Sequence, residues 1–192
     1  MPTMGAPKKF KEVIPSSMTR LTASGVGERG LPYITWEEYH RLLQAAQKGR
    51  LFRTYLLVKV FACTGIRIQE LPQITVEAAK EGHVTLPEQH RAVYLPHSLR
   101  RELLDYAGRE GISQGPIFVT RTGKLVSRSN ITASVQNLSK SAQVGRDKCN
   151  PRCLRRLYFE MLDSIWRSLT PLVEQRIDKM VGSEQLFPAK RT

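Results

Sequence analysis

The stretch Cys63-Thr64-Gly65-Ile66-Arg67-Ile68-Gln69-Glu70-Leu71 joins an apolar helical segment to a short second one through a Thr-Gly break. An arginine at a helix start places its guanidinium where backbone amides also point outward, and both favour a phosphate. The plainer alternative is an Arg67–Glu70 ion pair at i,i+3. A second stretch has the same character: Asn150-Pro151-Arg152-Cys153-Leu154-Arg155-Arg156-Leu157-Tyr158. Helical spacing puts Arg152, Arg155 and Arg156 on one face, where three like charges repel unless an anion lies between them. A solvated basic face is the alternative here.

Outward from these two stretches the chain reads as mostly helical. Residues 1–34 hold four prolines and four glycines without lasting periodicity, so a flexible basic arm or linker is expected there. The domain, residues 35–192, opens with Thr35-Trp36-Glu37-Glu38, a capping box. Trp36, Tyr39, Leu43 and Ala46 then follow at helical spacing up to Gly49. A broadly apolar helix is expected from Leu51 to Cys63, and a short one from Ile66 that Pro72 stops. Ile74–Val76, His83–Leu86 and Ala92–Leu95 read as short strands, with Pro87 between the last two. Further helices are expected from Ser98 to Arg109, from Ser129 or Asn130 to Ala142, and from Pro151 to Ser168. Ile117–Thr120 reads as a brief extended piece, turned by Thr122-Gly123. Thr170-Pro171 reads as the opening of a last helix burying Leu172, Val173, Ile177 and Met180, closed by Gly182. The expected fold class is mainly α with a small antiparallel β-sheet.

Composition narrows the function. Thirty Lys and Arg against 17 Asp and Glu leave a net charge of +13. That surplus makes a compact fold repel itself and points to a polyanionic partner. It sits in residues 1–30, 91–128 and 140–192, whereas residues 31–90 are nearly neutral. No apolar run approaches the roughly 18–20 residues of a membrane span. Three cysteines do not make a disulfide framework, so a reducing cytoplasm fits. Cys149 and Cys153 read as small buried residues beside a helix start. His83, His90 and His97 are seven apart and read as surface residues, so no metal site and no cofactor are expected. The glycine-rich, zincin and nucleophile-elbow motifs of nucleotide hydrolysis, Rossmann redox chemistry, metalloproteolysis and α/β-hydrolases do not occur.

Taken together, the two arginine stretches resemble the catalytic domain of the tyrosine recombinases, the phage-integrase family. That family carries a T-G-x-R-x-x-E-L segment on an early helix and an H-x-x-R segment on a late one. Here these read Thr64-Gly65-Ile66-Arg67-Ile68-Gln69-Glu70-Leu71 and Arg152-Cys153-Leu154-Arg155. Arg91-Ala92-Val93-Tyr94-Leu95-Pro96 is similar to the second hairpin strand of the family, and Ile117 to Gly123 to its F-x-x-x-x-G turn. Tyr33 to Glu38 is similar to the usual domain start. The resemblance implies an α+β recombinase fold and a tyrosine that attacks a DNA phosphodiester without a metal. A 3′-phosphotyrosyl link forms and a 5′-hydroxyl leaves. It also implies that Arg67 and Arg155 are the two arginines that clamp the phosphate oxygens. Arg91, Lys124, Arg128 and Arg156 are the further candidates for DNA contact.

The sequence departs from the family pattern at the remaining positions. Arg152 stands at the histidine of H-x-x-R, and a guanidinium does not deprotonate to act as a base. Gln89 aligns with the hairpin lysine that protonates the leaving oxygen, and an amide cannot deliver that proton. Lys124, in the next turn, is a substitute at a different alignment. Met180-Val181-Gly182-Ser183 is at best a remnant of the L-G-H segment of the family. Tyr158 is the last tyrosine, one helical turn from Arg155 and too early to match the nucleophile, and reads as a core aromatic. The C-terminal nucleophile segment is thus expected to be missing or divergent. The expectation is a DNA-binding, recombinase-like protein of a bacterial mobile element, retaining the clamp but deficient in cleavage, in an accessory or regulatory role. Expected partners are duplex DNA, then an active recombinase or a second copy on DNA, with no membrane. The alternative is an active site-specific recombinase whose tyrosine comes in trans or from an atypical position. A weaker alternative is an interaction remnant with no DNA role.

Overall fold

The computed structural model describes residues 33–86 and 91–182. The expected arm up to residue 32, Pro87, Gln89, His90 and the final ten residues, Ser183 among them, lie outside the described residues. The elements are α1 (Trp36–Lys48), α2 (Phe52–Thr64), a 3₁₀ helix (Ile68–Gln73), α3 (Val76–Glu81), β1 (His83–Leu86) and β2 (Arg91–Tyr94). They continue with α4 (His97–Arg109), α5 (Arg128–Gln136), α6 (Ser139–Ala142) and α7 (Pro151–Gly182). The two strands form an antiparallel pair with His83 opposite Tyr94 and Leu86 opposite Arg91.

The central element is α2. Eight of its 13 residues are buried, including Leu56, Leu57, Val58, Val60, Phe61 and Ala62. A helix apolar nearly all round must be covered all round, and α1, α4, α5 and α7 pack against it. The capping box of α1 forms as the sequence implies. Thr35 Oγ1 accepts the Glu38 N–H at 3.2 Å, and Glu38 Oε2 accepts the Thr35 N–H at 2.9 Å. The helix buries Tyr39, Leu42, Ala45 and Ala46, while Trp36 stays exposed at its outer edge. Asn150 caps α7 by accepting the Cys153 N–H at 2.9 Å, with Pro151 at the first helical position, where no amide partner is needed. Cys149 and Cys153 are buried free thiols beside it; burial raises both, Cys149 to about 11.

Four expectations are corrected. Ile74–Val76 is not a strand. Thr75 makes only an isolated bridge to Pro116, and its hydroxyl accepts the Ala78 N–H at 3.1 Å, so Val76 starts α3. Pro72 lies inside the 3₁₀ helix rather than ending a helix that starts at Ile66. The cap of α5 is Ser127, whose hydroxyl accepts the Asn130 N–H at 3.2 Å, and Asn137 separates α5 from the short α6. Finally, Thr170-Pro171 opens no new helix. Residues 151–182 form one helix of 32 residues, about 48 Å long. The amide missing at Pro171 falls where the helix is solvent-exposed, so water can take the orphaned carbonyl. Leu172, Val173, Ile177 and Met180, expected to be buried, are exposed. None of the described helices is long and apolar enough to cross a membrane.

An ion pair ties the first turn of α1 to the segment just before α7. Lys148 Nζ reaches Glu38 Oε1 at 2.8 Å and closes a loop of 110 residues. Burial pushes the Glu38 carboxyl up, but the Lys148 hydrogen bond, the Thr35 N–H and the neighbouring cations outweigh it. The group therefore lies below its ordinary value of 4.5. A carboxyl lowered on folding stabilises the fold above its unfolded pKa, and that contribution is lost as pH falls through the folded value. Glu38→Gln should therefore lower stability at pH 7 and shrink the loss seen on acidification below 4.5, as read by urea unfolding across pH. An unchanged pH profile in the variant would contradict this.

Candidate nucleic-acid interface

Helix α2 ends on Gly65, which takes a left-handed conformation (φ 62°) and returns its N–H to the Phe61 carbonyl at 3.2 Å. Thr64 is buried, and its hydroxyl donates to the Val60 carbonyl at 2.5 Å and accepts the Ile66 N–H at 3.4 Å. Ile66 is fully buried, so the chain emerges from the core at Arg67. Arg67 is exposed, while its backbone is fixed. The buried Glu70 accepts the Arg67 N–H through Oε2 at 2.6 Å. The same oxygen accepts Arg91 Nη2 at 3.1 Å. Glu70 thus pairs with the Arg67 backbone and with the hairpin, a different geometry from the i,i+3 side-chain pair open at the sequence level. It is also the residue whose part in this cluster the sequence reading missed. Its advance signal was its place as the Glu of the T-G-x-R-x-x-E-L segment.

Arg155 arrives from α7, 90 residues further along, and donates Nε to the Gly65 carbonyl at 2.7 Å. Its guanidinium lies over the Phe159 ring, 4.7 Å from the centroid. Burial lowers the Arg155 pKa; the charges of Arg67 and Arg91 lower it further, and Glu70 opposes them. Arginine starts high enough to remain a cation regardless. Among the described residues, the charges acting on Arg155 are thus two guanidinium groups, Arg67 and Arg91, and one buried carboxylate, Glu70, a basic setting that suits a bound anion.

The other candidates lie differently. Arg152 is exposed in the first turn of α7. Arg156 turns away from Arg155, pairing with Glu160 at 3.0 Å and lying 5.8 Å from the Tyr33 ring centroid. Arg155 and Arg156, neighbours about 100° apart on the helix, therefore reach different partners instead of sharing one anion. Lys124 is exposed in the turn before α5, and Arg128 is the exposed first residue of α5. Gln89 lies outside the described residues. Tyr158 is half-buried; burial raises its hydroxyl and the Arg91 charge opposes that rise. Among the described residues no group of His, Cys, Asp and Glu has the makings of a metal site.

No family model matches the chain. It is 24% identical over 155 residues to "Tyrosine recombinase XerC" of Caldanaerobacter subterraneus subsp. tengcongensis, a match covering 77% of this chain and 44% of that protein. The chain thus spans less than half the length of this curated relative. Among solved structures it is similar to the crystal structure of XerA recombinase. The TM-score is 0.58 at 24% identity, over 68% of this chain and 49% of that one. The fold is tyrosine recombinase-like, mainly α with a small antiparallel sheet, as the two arginine stretches imply.

Gly65 is the position least able to change. A Cβ there would overlap Tyr158 Cδ1, and the positive φ is costly for any residue with a Cβ. Gly65→Ala should destabilise the chain by more than the ~1–2 kcal/mol of the backbone conformation alone. Denaturant unfolding showing a loss under ~0.5 kcal/mol would contradict this packing.

Proposed function

We propose that this chain is a DNA-binding, tyrosine recombinase-like protein that grips the backbone phosphate of duplex DNA with Arg67 and Arg155. The observation that carries the reading is the bond from Arg155 to the Gly65 carbonyl, which brings α7 to the turn from which Arg67 emerges. The net charge of +13 and the similarity to XerC support it. Guanidinium groups match the oxygens of a phosphate and bind them with charge-assisted hydrogen bonds. Arg91, Lys124, Arg128 and Arg156 are proposed as further backbone contacts.

The chain on its own is proposed not to cleave DNA. A clamp stabilises charge developing on a phosphate, but cleavage also needs a nucleophile and a proton for the leaving oxygen. Arg152 stands where the resemblance implies a histidine, and Gln89 where it implies a lysine. Tyr158 packs its ring against Gly65, and burial raises its hydroxyl further above the ordinary tyrosine value. An accessory or regulatory role beside an active recombinase of a mobile element fits these features.

Two measurements test the reading. Duplex affinity should fall with salt on a log–log slope of about −0.9 per neutralised phosphate, and equal affinity at two salt concentrations would exclude backbone binding. Incubation with a nicked suicide duplex should give no covalent adduct on a denaturing gel. An adduct that disappears in Tyr158→Phe would make the chain an active recombinase with a displaced nucleophile.

A further inference from the structure

Arg155 and Tyr158 lie one turn apart on α7 and both grip Gly65, in different ways. Arg155 donates to its carbonyl at 2.7 Å. Tyr158 lays Cδ1 and Cε1 against the side of Gly65 where any other residue would carry its Cβ. The Tyr158 ring then meets Phe159 edge-on, 5.2 Å between centroids at 74°, and the Phe159 face holds the Arg155 guanidinium. Two residues after Gly65 the exposed Arg67 departs, its N–H held by Glu70. The Gly65–Arg67 turn is therefore fixed by the end of α2 behind, Glu70 ahead and the Tyr158 ring alongside.

We infer that Tyr158 is a positioning residue: its ring, wedged against the bare face of Gly65, sets the Arg67 turn against Arg155 so that both guanidinium groups reach one phosphate. The inference rests on the phosphate-clamp reading above. The work is done by the flat ring, which can lie close on a glycine, and needs no hydroxyl. Aromatic rings are stiff, with two rotatable bonds, so a wedged ring transmits position with little entropy to lose. Without it the turn keeps its ties to α2, to Glu70 and to Arg155, but loses the ring that sets its position against α7.

The test measures duplex DNA binding by the full chain at several salt concentrations, with the thermal melt of each variant followed by circular dichroism. Tyr158→Phe should keep the wild-type affinity and salt slope. Tyr158→Ala should flatten the slope by about 0.9, one phosphate, as Arg155→Ala does. The double variant should bind no worse than Arg155→Ala, because both act on the same contact. Leu99→Ala, a fully buried change in α4, controls for lost packing and should lower the melt while leaving the slope intact. If Tyr158→Ala does not fold, Tyr158→Leu, which keeps apolar bulk without the flat ring, should show the same flattening. A wild-type slope in Tyr158→Ala or Tyr158→Leu, with a flattened one in Arg155→Ala, overturns the positioning role and leaves the clamp standing. Loss in Tyr158→Phe assigns the work to the hydroxyl and overturns it as well. A wild-type slope in Arg155→Ala removes the clamp reading and this inference with it.

Discussion

The bond from Arg155 Nε to the Gly65 carbonyl is the contact on which the rest of the site depends. It joins the long C-terminal helix to the end of the most buried helix, α2, at a point where that helix can terminate only because glycine accepts a left-handed backbone. The requirements at Gly65 compound one another. It must cap α2, offer its carbonyl to Arg155 and leave its Cα bare for the Tyr158 ring. Each of these alone has other solutions in proteins; together they leave one residue type. Once Gly65 is set, the buried Ile66 and the carboxylate of Glu70 determine where Arg67 leaves the core.

The electrostatics follow from that placement. Glu70 is buried and serves both the Arg67 backbone and the Arg91 side chain. Among the described residues Arg155 faces two like charges, Arg67 and Arg91, and one opposite charge, Glu70; burial first and then that repulsion lower its pKa. Repulsion of this kind is tolerated where an anion relieves it. Surface pairs elsewhere, such as Arg156–Glu160 and Arg167–Asp163, are exposed i,i+4 contacts of small energetic weight and shape nothing comparable.

Much of this was legible where the causes are local. The capping box at Thr35, the Thr64-Gly65 break and Pro151 at a helix start each depend on a few adjacent residues, and each forms as read. The meeting of the two arginine stretches, through Arg155 and the Gly65 carbonyl, was expected only through their resemblance to a family, since periodicity says nothing about which helices meet. What escaped depended on competition between local preferences or on tertiary surroundings. Thr75 suits both a strand and a helix cap, and the cap prevails. Thr170-Pro171 has the form of a helix start, yet α7 runs through it in solvent. The apolar pattern of Leu172, Val173, Ile177 and Met180 specifies a face without specifying a neighbour, and that face is exposed. Glu70 was visible as a residue but not as the hub of the cluster, because its partner Arg91 comes from a hairpin 21 residues away.

The proposed grip on DNA requires Arg67 and Arg155 to converge on one phosphate. A crystal structure of the chain with a short DNA duplex, or soaked in sulfate, tests it most directly. One phosphate or sulfate should be held by both guanidinium groups at about 2.7–2.9 Å, beside the Gly65 carbonyl. Guanidinium groups bound to separate phosphates, or a backbone that tracks a different face of the domain, would contradict it.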